Sequence, residues 1–262
     1  MSILLVSCEK IVHLDLASAE PRIVIEGNIT SNPPPYEVDI TTSGDYYTAE
    51  GISPISGALV VVSDELGKID TLREDSAGRY ITNNIVGESN MKYSLNVVYQ
   101  NKEYTGSDFL PNKVYIDSLE FEKREDGNHG PPSEEEKPKY YIYCYFTDPP
   151  NTEDYYRFNI EVNGELTTGA FSNYSLASDQ LFNGQHVKYT LYGVEAMPGD
   201  TVTIGLNTIG FNTYEYFRTL NDALSSGGMG STPYNPISNL SNNALGYFGA
   251  YTNNSNSIIL TE

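Results

Sequence analysis

One short acidic segment of the chain, Asp148-Pro149-Pro150-Asn151-Thr152-Glu153-Asp154, carries oxygen ligands of the kind that bind Ca²⁺. The segment lacks a recognisable calcium-loop register, so a solvated turn is the interpretation that we favour. His13, His129 and His186 are scattered along the chain and share no ligand spacing, and the sequence therefore predicts no zinc site. We expect the protein to hold neither a metal nor an organic cofactor.

Sequence motifs of known catalytic sites are absent. The chain has no Gly-x-Ser-x-Gly elbow, no His-Glu-x-x-His, no Cys-x-x-Cys and no Gly-Lys-Ser/Thr phosphate loop. Its 35 acidic residues leave a glycosidase-like carboxylate pair open, because tertiary structure sets the separation of such groups. The 22 tyrosines could form a sugar platform, but most alternate along strands and no tryptophan is present, so cross-strand packing is the simpler explanation. We expect a protein that is not an enzyme.

The two cysteines lie in different contexts. Cys144 falls within the aromatic stretch Tyr-Ile-Tyr-Cys-Tyr-Phe, which predicts a small buried thiol. Cys8 follows an apolar stretch and the small residue Ser7, and this pattern resembles the lipobox of bacterial lipoproteins, in which the cysteine is acylated after cleavage. Only seven residues precede Cys8 and none is basic. We therefore expect the natural gene to begin upstream, and residues 1–19 to comprise a truncated signal remnant, lipidated Cys8 and a tether.

The charge balance excludes one class of partner. The chain has 262 residues, with 35 Asp and Glu against 15 Lys and Arg, and its formal net charge is −20. A nucleic-acid partner needs a basic surface that neutralises phosphates, so none is expected. The same charge opposes binding to an anionic membrane, and no run of about 20 apolar residues is present to span one. Membrane attachment would therefore be covalent, through acyl chains on Cys8 in the lipid bilayer.

Short alternating stretches separated by turn residues predict a mainly β protein. In residues 20–112 strands recur about every ten residues, which is typical of a β-sandwich of the immunoglobulin or transthyretin type. The break at Pro111-Asn112-Lys113 begins a second β-rich domain, residues 113–262. The end of this domain is predicted to form two strands, at 244–251 and 257–260.

One helix is predicted in the second domain, near residues 212–226. Asn212 and Glu215 have capping-box spacing, and Phe211 and Tyr216 occupy the positions of a hydrophobic staple. The apolar stripe of the helix, which we expect to face the core, consists of Phe217, Leu220 and Leu224.

Three polar loops are where we expect contacts with a ligand or partner, since rigid β scaffolds present function on loops. They are residues 44–56, the mobile acidic loop 123–139 and residues 227–243. The candidate binding residues in these loops are Tyr46, Tyr47, Asp126, His129, Met229 and Tyr234.

An ordered set of segments resembles the DUF4249 lipoproteins of Bacteroidota. The first, Glu20-Pro21-Arg22-Ile23-Val24-Ile25-Glu26-Gly27-Asn28-Ile29-Thr30, is similar to the family's opening "EPKLVVEGxIT". The others are Ile116-Asp117-Ser118-Leu119, Phe146-Thr147-Asp148-Pro149-Pro150, Tyr155-Tyr156-Arg157-Phe158, Asn163-Gly164, Leu181-Phe182-Asn183-Gly184, Gly199-Asp200-Thr201-Val202 and Leu245-Gly246-Tyr247-Phe248-Gly249. Within the same region, Gly57–Val62 with Asp75–Tyr80 is similar to carboxypeptidase-regulatory-like sandwich domains.

This resemblance implies a non-enzymatic outer-membrane lipoprotein. Such a protein would accompany a TonB-dependent transporter in nutrient uptake, and would capture or gate its ligand. The family supplies no catalytic residues. The residues after Cys8, Glu9-Lys10-Ile11-Val12, depart from the pattern of surface-exported lipoproteins, so the cell surface and the periplasmic face both stay open. A structural or adhesive cell-surface module is the alternative function.

Overall fold

The computed structural model describes residues 21–44, 52–124, 138–167, 175–226 and 234–261. Over these ranges the chain forms sixteen β-strands and one α-helix, α1 (Phe211–Ser226), so the predicted mainly β class is confirmed. The described part of the chain contains no helix with the length and apolar character needed to cross a membrane. The strands are β1 (Ile23–Thr30), β2 (Glu37–Thr42), β3 (Leu59–Asp64), β4 (Ile69–Thr71), β5 (Arg73–Ser76), β6 (Arg79–Ile81), β7 (Met91–Tyr99), β8 (Lys102–Leu110), β9 (Ile116–Lys123), β10 (Lys139–Thr147), β11 (Tyr155–Val162), β12 (Glu165–Leu166), β13 (Ser175–Ser178), β14 (His186–Glu195), β15 (Thr201–Ile209) and β16 (Leu245–Ile259).

The largest sheet has nine strands and combines the first and last of them. Its order is β12-β11-β15-β16-β1-β2-β6-β5, and β13 also pairs with β11. β1 runs parallel to β16, with Val24 opposite Leu245 and Thr30 opposite Tyr251. The other neighbouring strands of this sheet are antiparallel. The parallel pair therefore joins the N-terminal and C-terminal parts of the described chain.

Two smaller sheets enclose two separate hydrophobic cores against the large sheet. The four-stranded sheet β4-β3-β7-β8 contributes to the first core, whose largest buried side chains include Tyr80, Tyr93 and Phe248. The three-stranded sheet β14-β10-β9 contributes to the second core, which includes Phe146 and Tyr156.

Both cores lie on the same face of the large sheet. Side chains alternate between the two faces along a strand, and directly paired residues share a face. Phe158 pairs with Leu206, and Leu206 pairs with Asn254, so the even-numbered residues of β11, β15 and β16 share the core face. The odd-numbered residues of these strands lie on the opposite face, where α1 packs against β16 and β11.

The predicted domain boundary at residue 112 lies between residues of different cores. Leu110 is buried in the first core and Val114 in the second. Leu240 and Phe248 from the C-terminal region also belong to the first core. The large sheet is consequently shared by the two predicted domains.

The prediction of two separate strands near the C-terminus is wrong, because one strand, β16, runs from Leu245 to Ile259. The Asn- and Ser-rich residues 252–256 have low intrinsic strand propensity, which predicted a break. They stay extended because β15 offers a continuous partner, with Leu206 opposite Asn254 and Ile204 opposite Asn256.

The described parts of two predicted polar loops are packed against the body. In loop 44–56, Ile55 is buried in the first core. In loop 227–243, the Asn239 side chain donates hydrogen bonds to the carbonyls of Ser107 and Phe248, at 3.0 and 2.7 Å. These contacts fix the loop to strands β8 and β16.

Candidate functional site

A cleft of about 380 Å³ lies between helix α1 and the polar face of the large sheet. The sheet contributes charged and polar side chains to it, among them Glu26, Asp39 and Arg157, and the helix contributes Tyr216 and Phe217. These side chains meet because strand alternation sends them away from the aliphatic core. The cleft therefore combines charges of both signs with an aromatic wall.

Arg157 is the most unusual residue of the cleft. It is only 9% exposed, and its Nε atom has no hydrogen-bond partner. Its guanidinium lies 4.5 Å from the centre of the Phe217 ring and 5.4 Å from that of Tyr251. Aromatic faces attract a cation, but they do not replace the hydrogen bonds that water would make. Among the described residues no carboxylate forms an ion pair with Arg157.

Asn28 contributes a second buried polar atom without a partner, its Oδ1. A hydrogen bond from the Asn28 side chain to Tyr247 lowers the pKa of this tyrosine, as does Arg157, although burial is the larger effect and raises it. The neighbouring strand carries Gly249 opposite Asn28, and a Cβ at Gly249 would lie 2.9 Å from Asn28 Oδ1. Because Gly249 has no side chain, the Asn28 amide can occupy the space beside it.

The acidic side of the cleft is a row of side chains across three strands. Tyr247, Glu26 and Asp39 are consecutive partners on β16, β1 and β2. Burial raises the pKa of Glu26, and the nearby Asp39 raises it further. Burial also raises the pKa of Asp39, with Glu37 adding to the effect and Arg79 opposing it. Arg79 forms an ion pair with Glu37, whereas no described cation is paired with Glu26.

Asp108 on β8 anchors the first turn of α1 and so positions the aromatic wall. Its carboxylate accepts hydrogen bonds from the Thr213 hydroxyl at 2.5 Å and from the Ala250 amide at 3.1 Å. Burial raises the pKa of Asp108 to about 6, although these bonds and those from the Phe109 and Thr213 amides oppose the rise. Gly210 precedes the helix, and a Cβ there would lie 2.7 Å from the carboxyl carbon of Asp108.

The predicted capping box does not form. Because α1 begins at Phe211, Asn212 lies in its first turn, where the side-chain amide donates to the Ser107 carbonyl at 3.0 Å. Glu215 pairs with Arg218 at 2.8 Å instead of with the helix start. Contacts from β8 thus replace local capping.

The predicted hydrophobic staple is also replaced by contacts with the sheet. Phe211 packs against Tyr155, with ring centres 5.5 Å apart, and Tyr216 stacks on Tyr247 at 4.5 Å. In the predicted apolar stripe, Phe217 and Leu220 pack in the aromatic cluster, whereas Leu224 is 54% exposed.

A second charged cluster is enclosed near the acidic turn. Asp148, Asp154 and Asp179 are all buried, and one carboxylate oxygen from each lies within 4.8 Å of the others. The solvated-turn interpretation of 148–154 is therefore wrong for both aspartates, whereas residues 150–153 between them are exposed as predicted. Asp148 accepts hydrogen bonds from the Tyr156 hydroxyl at 2.5 Å and from the Gly184 amide at 2.8 Å.

Protein donors also serve the other two carboxylates of this cluster. Thr152 donates to Asp154 at 2.6 Å, and Asn183 donates to Asp179 at 3.1 Å. Burial raises the pKa of Asp154, and its two acidic neighbours raise it further. Carboxylate oxygens at this spacing are donors that Ca²⁺ or Mg²⁺ prefers. Each carboxylate also accepts a hydrogen bond from the protein, which fixes the geometry of the cluster and leaves other lone pairs for a cation.

Other reactive side chains are accounted for by packing. Cys144 is buried as predicted, and burial raises the pKa of its thiol to about 12, so it is no nucleophile at neutral pH. Tyr143 and Tyr145 donate to Glu122 and Glu120 on the neighbouring strand, at 2.6 and 2.7 Å. These pairs bear out cross-strand packing for the tyrosines of β10.

Among the predicted contact residues, Tyr234 falls within the described ranges, is 48% exposed and does not line the cleft. The other predicted contact residues, Tyr46, Tyr47, Asp126, His129 and Met229, and the predicted lipidation site Cys8 lie outside the described residues and stay predictions.

Sequence reasoning missed the cleft, although Glu26, Asn28, Arg157 and Tyr247 lie in segments that carried the family resemblance. Arg157 interrupts an aromatic strand, and Glu26 alternates with isoleucines. Such alternation predicts that a side chain leaves the core face. It does not predict that a helix from residues 211–226 will cover that face and bury the arginine.

Comparison with known proteins gives one assignment. No curated protein matches the chain. The family described as "Domain of unknown function (DUF4249)" matches residues 9–257. This match spans nearly the whole sequence, both cores and the cleft, and the chain therefore belongs to the DUF4249 family.

Proposed function

We propose that this protein is a non-enzymatic outer-membrane lipoprotein that captures a ligand for a TonB-dependent transporter, or gates its entry. The observation that carries ligand capture is Arg157, a buried cation with an unpartnered Nε in an open cleft. A buried donor without a hydrogen-bond partner opposes folding, so a site that keeps one has a use for it beyond stability. A ligand that pairs with the cation is such a use.

Sequence features support the location and the partner. The lipobox-like stretch ending at Cys8 supports a lipid anchor, and the resemblance to DUF4249 lipoproteins supports a transporter as partner. Residues 9–19 would reach at most about 36–40 Å when extended, enough for the body to move over a neighbouring barrel. The net charge of −20 would keep that body from adhering to an anionic leaflet.

The placement of carboxylates supports a non-enzymatic role. The three aspartates of the buried cluster are closed to a sugar chain because each is less than one-tenth exposed.

Purification of the native lipoprotein tests this function. The natural gene is expressed at native level and the protein is isolated in mild detergent. We expect a barrel of transporter size to co-purify, and Cys8→Ser to release the protein from the membrane with its fold unchanged. The matched control, Cys144→Ala, alters the buried cysteine and should leave attachment intact.

Two results would contradict the proposal. One is reproducible recovery of the protein without a transporter. The other is a Cys8→Ser protein that still sediments with outer membrane after washing in high salt. The second result would remove the lipid anchor even if a partner were found.

The alternative, a structural or adhesive surface module, is favoured by one observation. β9 and β14 are the two edges of the three-stranded sheet, and an edge strand can accept a strand from another subunit. Gene deletion separates the two functions. Loss of an adhesive module would change cell adhesion, whereas loss of an uptake accessory would change growth on one nutrient.

A further inference from the structure

Two residues that line the cleft, Arg157 and Asn28, each carry a buried polar atom without a partner, and these two atoms need opposite partners. Nε of Arg157 can only donate a hydrogen bond, and Oδ1 of Asn28 can only accept one. Both residues line the same cleft. One ligand that satisfies both atoms must therefore present an acceptor towards Arg157 and a donor towards Asn28.

The Arg157 end of the cleft favours an anionic acceptor. The guanidinium lies 4.5 Å from the centre of the Phe217 ring and 5.4 Å from that of Tyr251, and Arg157 as a whole is only 9% exposed. Little water reaches it, and no described carboxylate forms an ion pair with it. The planar fork of a guanidinium matches the two oxygens of a carboxylate, so a carboxylate is the group that fits best.

The Asn28 end favours a cationic donor. Glu26 lies two residues before Asn28 on β1, so both side chains leave the same face of the sheet. Asp39 is the cross-strand partner of Glu26. Two carboxylates on adjacent strands repel each other, and a bound cation would relieve that repulsion. Both residues are exposed on their strands, so a ligand can reach them, and desolvation followed by repulsion from Asp39 raises the pKa of Glu26.

An aromatic wall connects the two ends. The rings of Tyr216 and Tyr247 stack with centres 4.5 Å apart, and Phe217 meets Tyr247 edge-on at 5.0 Å. Tyr247 is the cross-strand partner of Glu26, and the Phe217 ring that packs against it lies 4.5 Å from the Arg157 guanidinium. An apolar group of the ligand would pack on this wall. The volume of about 380 Å³ suits a small molecule.

We propose that the cleft binds a small zwitterion, a free α-amino acid or a short peptide with an apolar side chain. Its carboxylate pairs with Arg157, its ammonium group lies between Asn28, Glu26 and Asp39, and its side chain packs against Tyr247 and the helix. This assignment rests on the proposed ligand-capture function and names the ligand class of the same cleft.

Other ligand classes leave part of the cleft unsatisfied. A neutral sugar would supply hydroxyl groups but no charge for Arg157 or for the Glu26–Asp39 pair. A polyphosphate would pair with Arg157 and be repelled by the acidic row. A metal ion would bind the carboxylates and be repelled by the guanidinium.

Calorimetric titration of the full chain at pH 7 tests the ligand class. The probes are L-leucine, L-phenylalanine and the dipeptide L-alanyl-L-leucine, with N-acetyl-L-leucine, L-leucinamide and glucose as comparisons. We expect the zwitterions to bind with Kd below about 1 mM, and the blocked compounds at least tenfold more weakly. Tighter binding of leucine would identify free amino acids as the source, and tighter binding of the dipeptide would identify peptides. The proposal is overturned if no zwitterion binds, or if glucose or a blocked compound binds equally well.

Matched variants test the residues assigned to each charge. Arg157→Met should weaken the binding of L-leucine at least tenfold. Arg218→Met, which alters an arginine of α1 that does not line the cleft, should leave the affinity unchanged. Glu26→Gln should also weaken the binding of L-leucine, whereas Glu165→Gln on β12 should leave it unchanged. If Arg157→Met fails to fold, the partly open Glu26 still gives a decisive variant. Unchanged affinity in Arg157→Met or Glu26→Gln would overturn the assigned pose.

The titration tests the ligand class and the purification tests the transporter partner, so either proposal can be contradicted without the other. Amino-acid binding without a co-purified transporter would keep the ligand class and remove the proposed partner. A co-purified transporter without amino-acid binding would keep the partner and remove the ligand class.

Discussion

Asp108 and Arg157 are both buried charged residues beside helix α1, but their surroundings differ. The carboxylate of Asp108 accepts hydrogen bonds from Thr213 and Ala250 and ties the helix to two strands. The guanidinium of Arg157 lies between aromatic rings, and its Nε has no partner. A buried charge with its hydrogen bonds made can support the fold, whereas a buried donor without a partner lowers stability. The contrast separates a structural junction from a ligand site.

The largest effect is expected for Asp108→Ala. This substitution leaves the Thr213 hydroxyl and the Ala250 amide buried without an acceptor, and it frees the first turn of α1. We expect a loss of about 4 kcal/mol in the free energy of unfolding. Urea denaturation measures it. Asp75→Ala, which removes an exposed ion pair with Arg73, is the control and should change stability by less than about 0.5 kcal/mol. Equal losses of stability in Asp108→Ala and Asp75→Ala would contradict a structural role for Asp108.

The pH dependence of stability should differ between the native protein and Asp108→Asn. The pKa of Asp108 is about 6 in the folded state and 3.8 as an ordinary carboxyl group, so between these values the folded state binds more protons. The stability that this residue contributes is therefore fully present below about pH 4 and is lost as pH rises through 6.

Relative to Asp108→Asn, the native protein should gain up to about 3 kcal/mol as pH falls from 8 to 4. Because every other titrating group is common to the two proteins, the difference between their urea midpoints isolates this carboxyl. A difference that does not vary with pH would contradict the raised pKa.

Gly210→Ala should destabilise the same junction by a smaller amount. The new methyl carbon would lie 2.7 Å from the carboxyl carbon of Asp108, so the carboxylate or the start of the helix must move. We expect a cost of about 2 kcal/mol, measured by thermal unfolding. In the double variant with Asp108→Ala the cost should largely disappear, because the side chain that causes the clash is gone. Simple additivity of the two substitutions would contradict this cause.

The smallest effect on stability is expected for Arg157→Met. Methionine keeps the length and apolar packing of the side chain and removes the unpartnered charge. Loss of the contact with Phe217 should lower the free energy of unfolding by about 2 kcal/mol. Removal of a desolvated charge should raise it by somewhat more, so we expect a net increase of about 1 kcal/mol. Urea denaturation without ligand checks it. A loss above about 2 kcal/mol would mean that Arg157 supports the fold in the way that Asp108 does.

The sequence by itself predicted the local features of the fold. Alternation in Ile23–Thr30 and Tyr155–Val162 predicts strands with one apolar face, and Asn163-Gly164 predicts a tight hairpin; all three features are present. The apolar periodicity of residues 212–226 predicts the helix. These features follow from neighbouring residues, whose spacing is fixed by backbone geometry.

Tertiary structure decided everything that depends on contacts between distant residues. Residues 252–256 have turn-like composition and form a strand because β15 pairs with them. Asn212 and Glu215 have capping-box spacing, yet a carboxylate about one hundred positions earlier, Asp108, anchors the helix.

The cleft is the clearest case of this second kind. The sequence determined that Glu26, Asn28 and Arg157 leave the apolar face of their strands. Only the parallel pairing of β1 with β16, and the docking of α1 across β16 and β11, brought them together and buried the arginine. Strand alternation fixes a side chain's face through local geometry, but whether water, a helix or a ligand covers that face is set by the free energy of packing elements far apart in the chain.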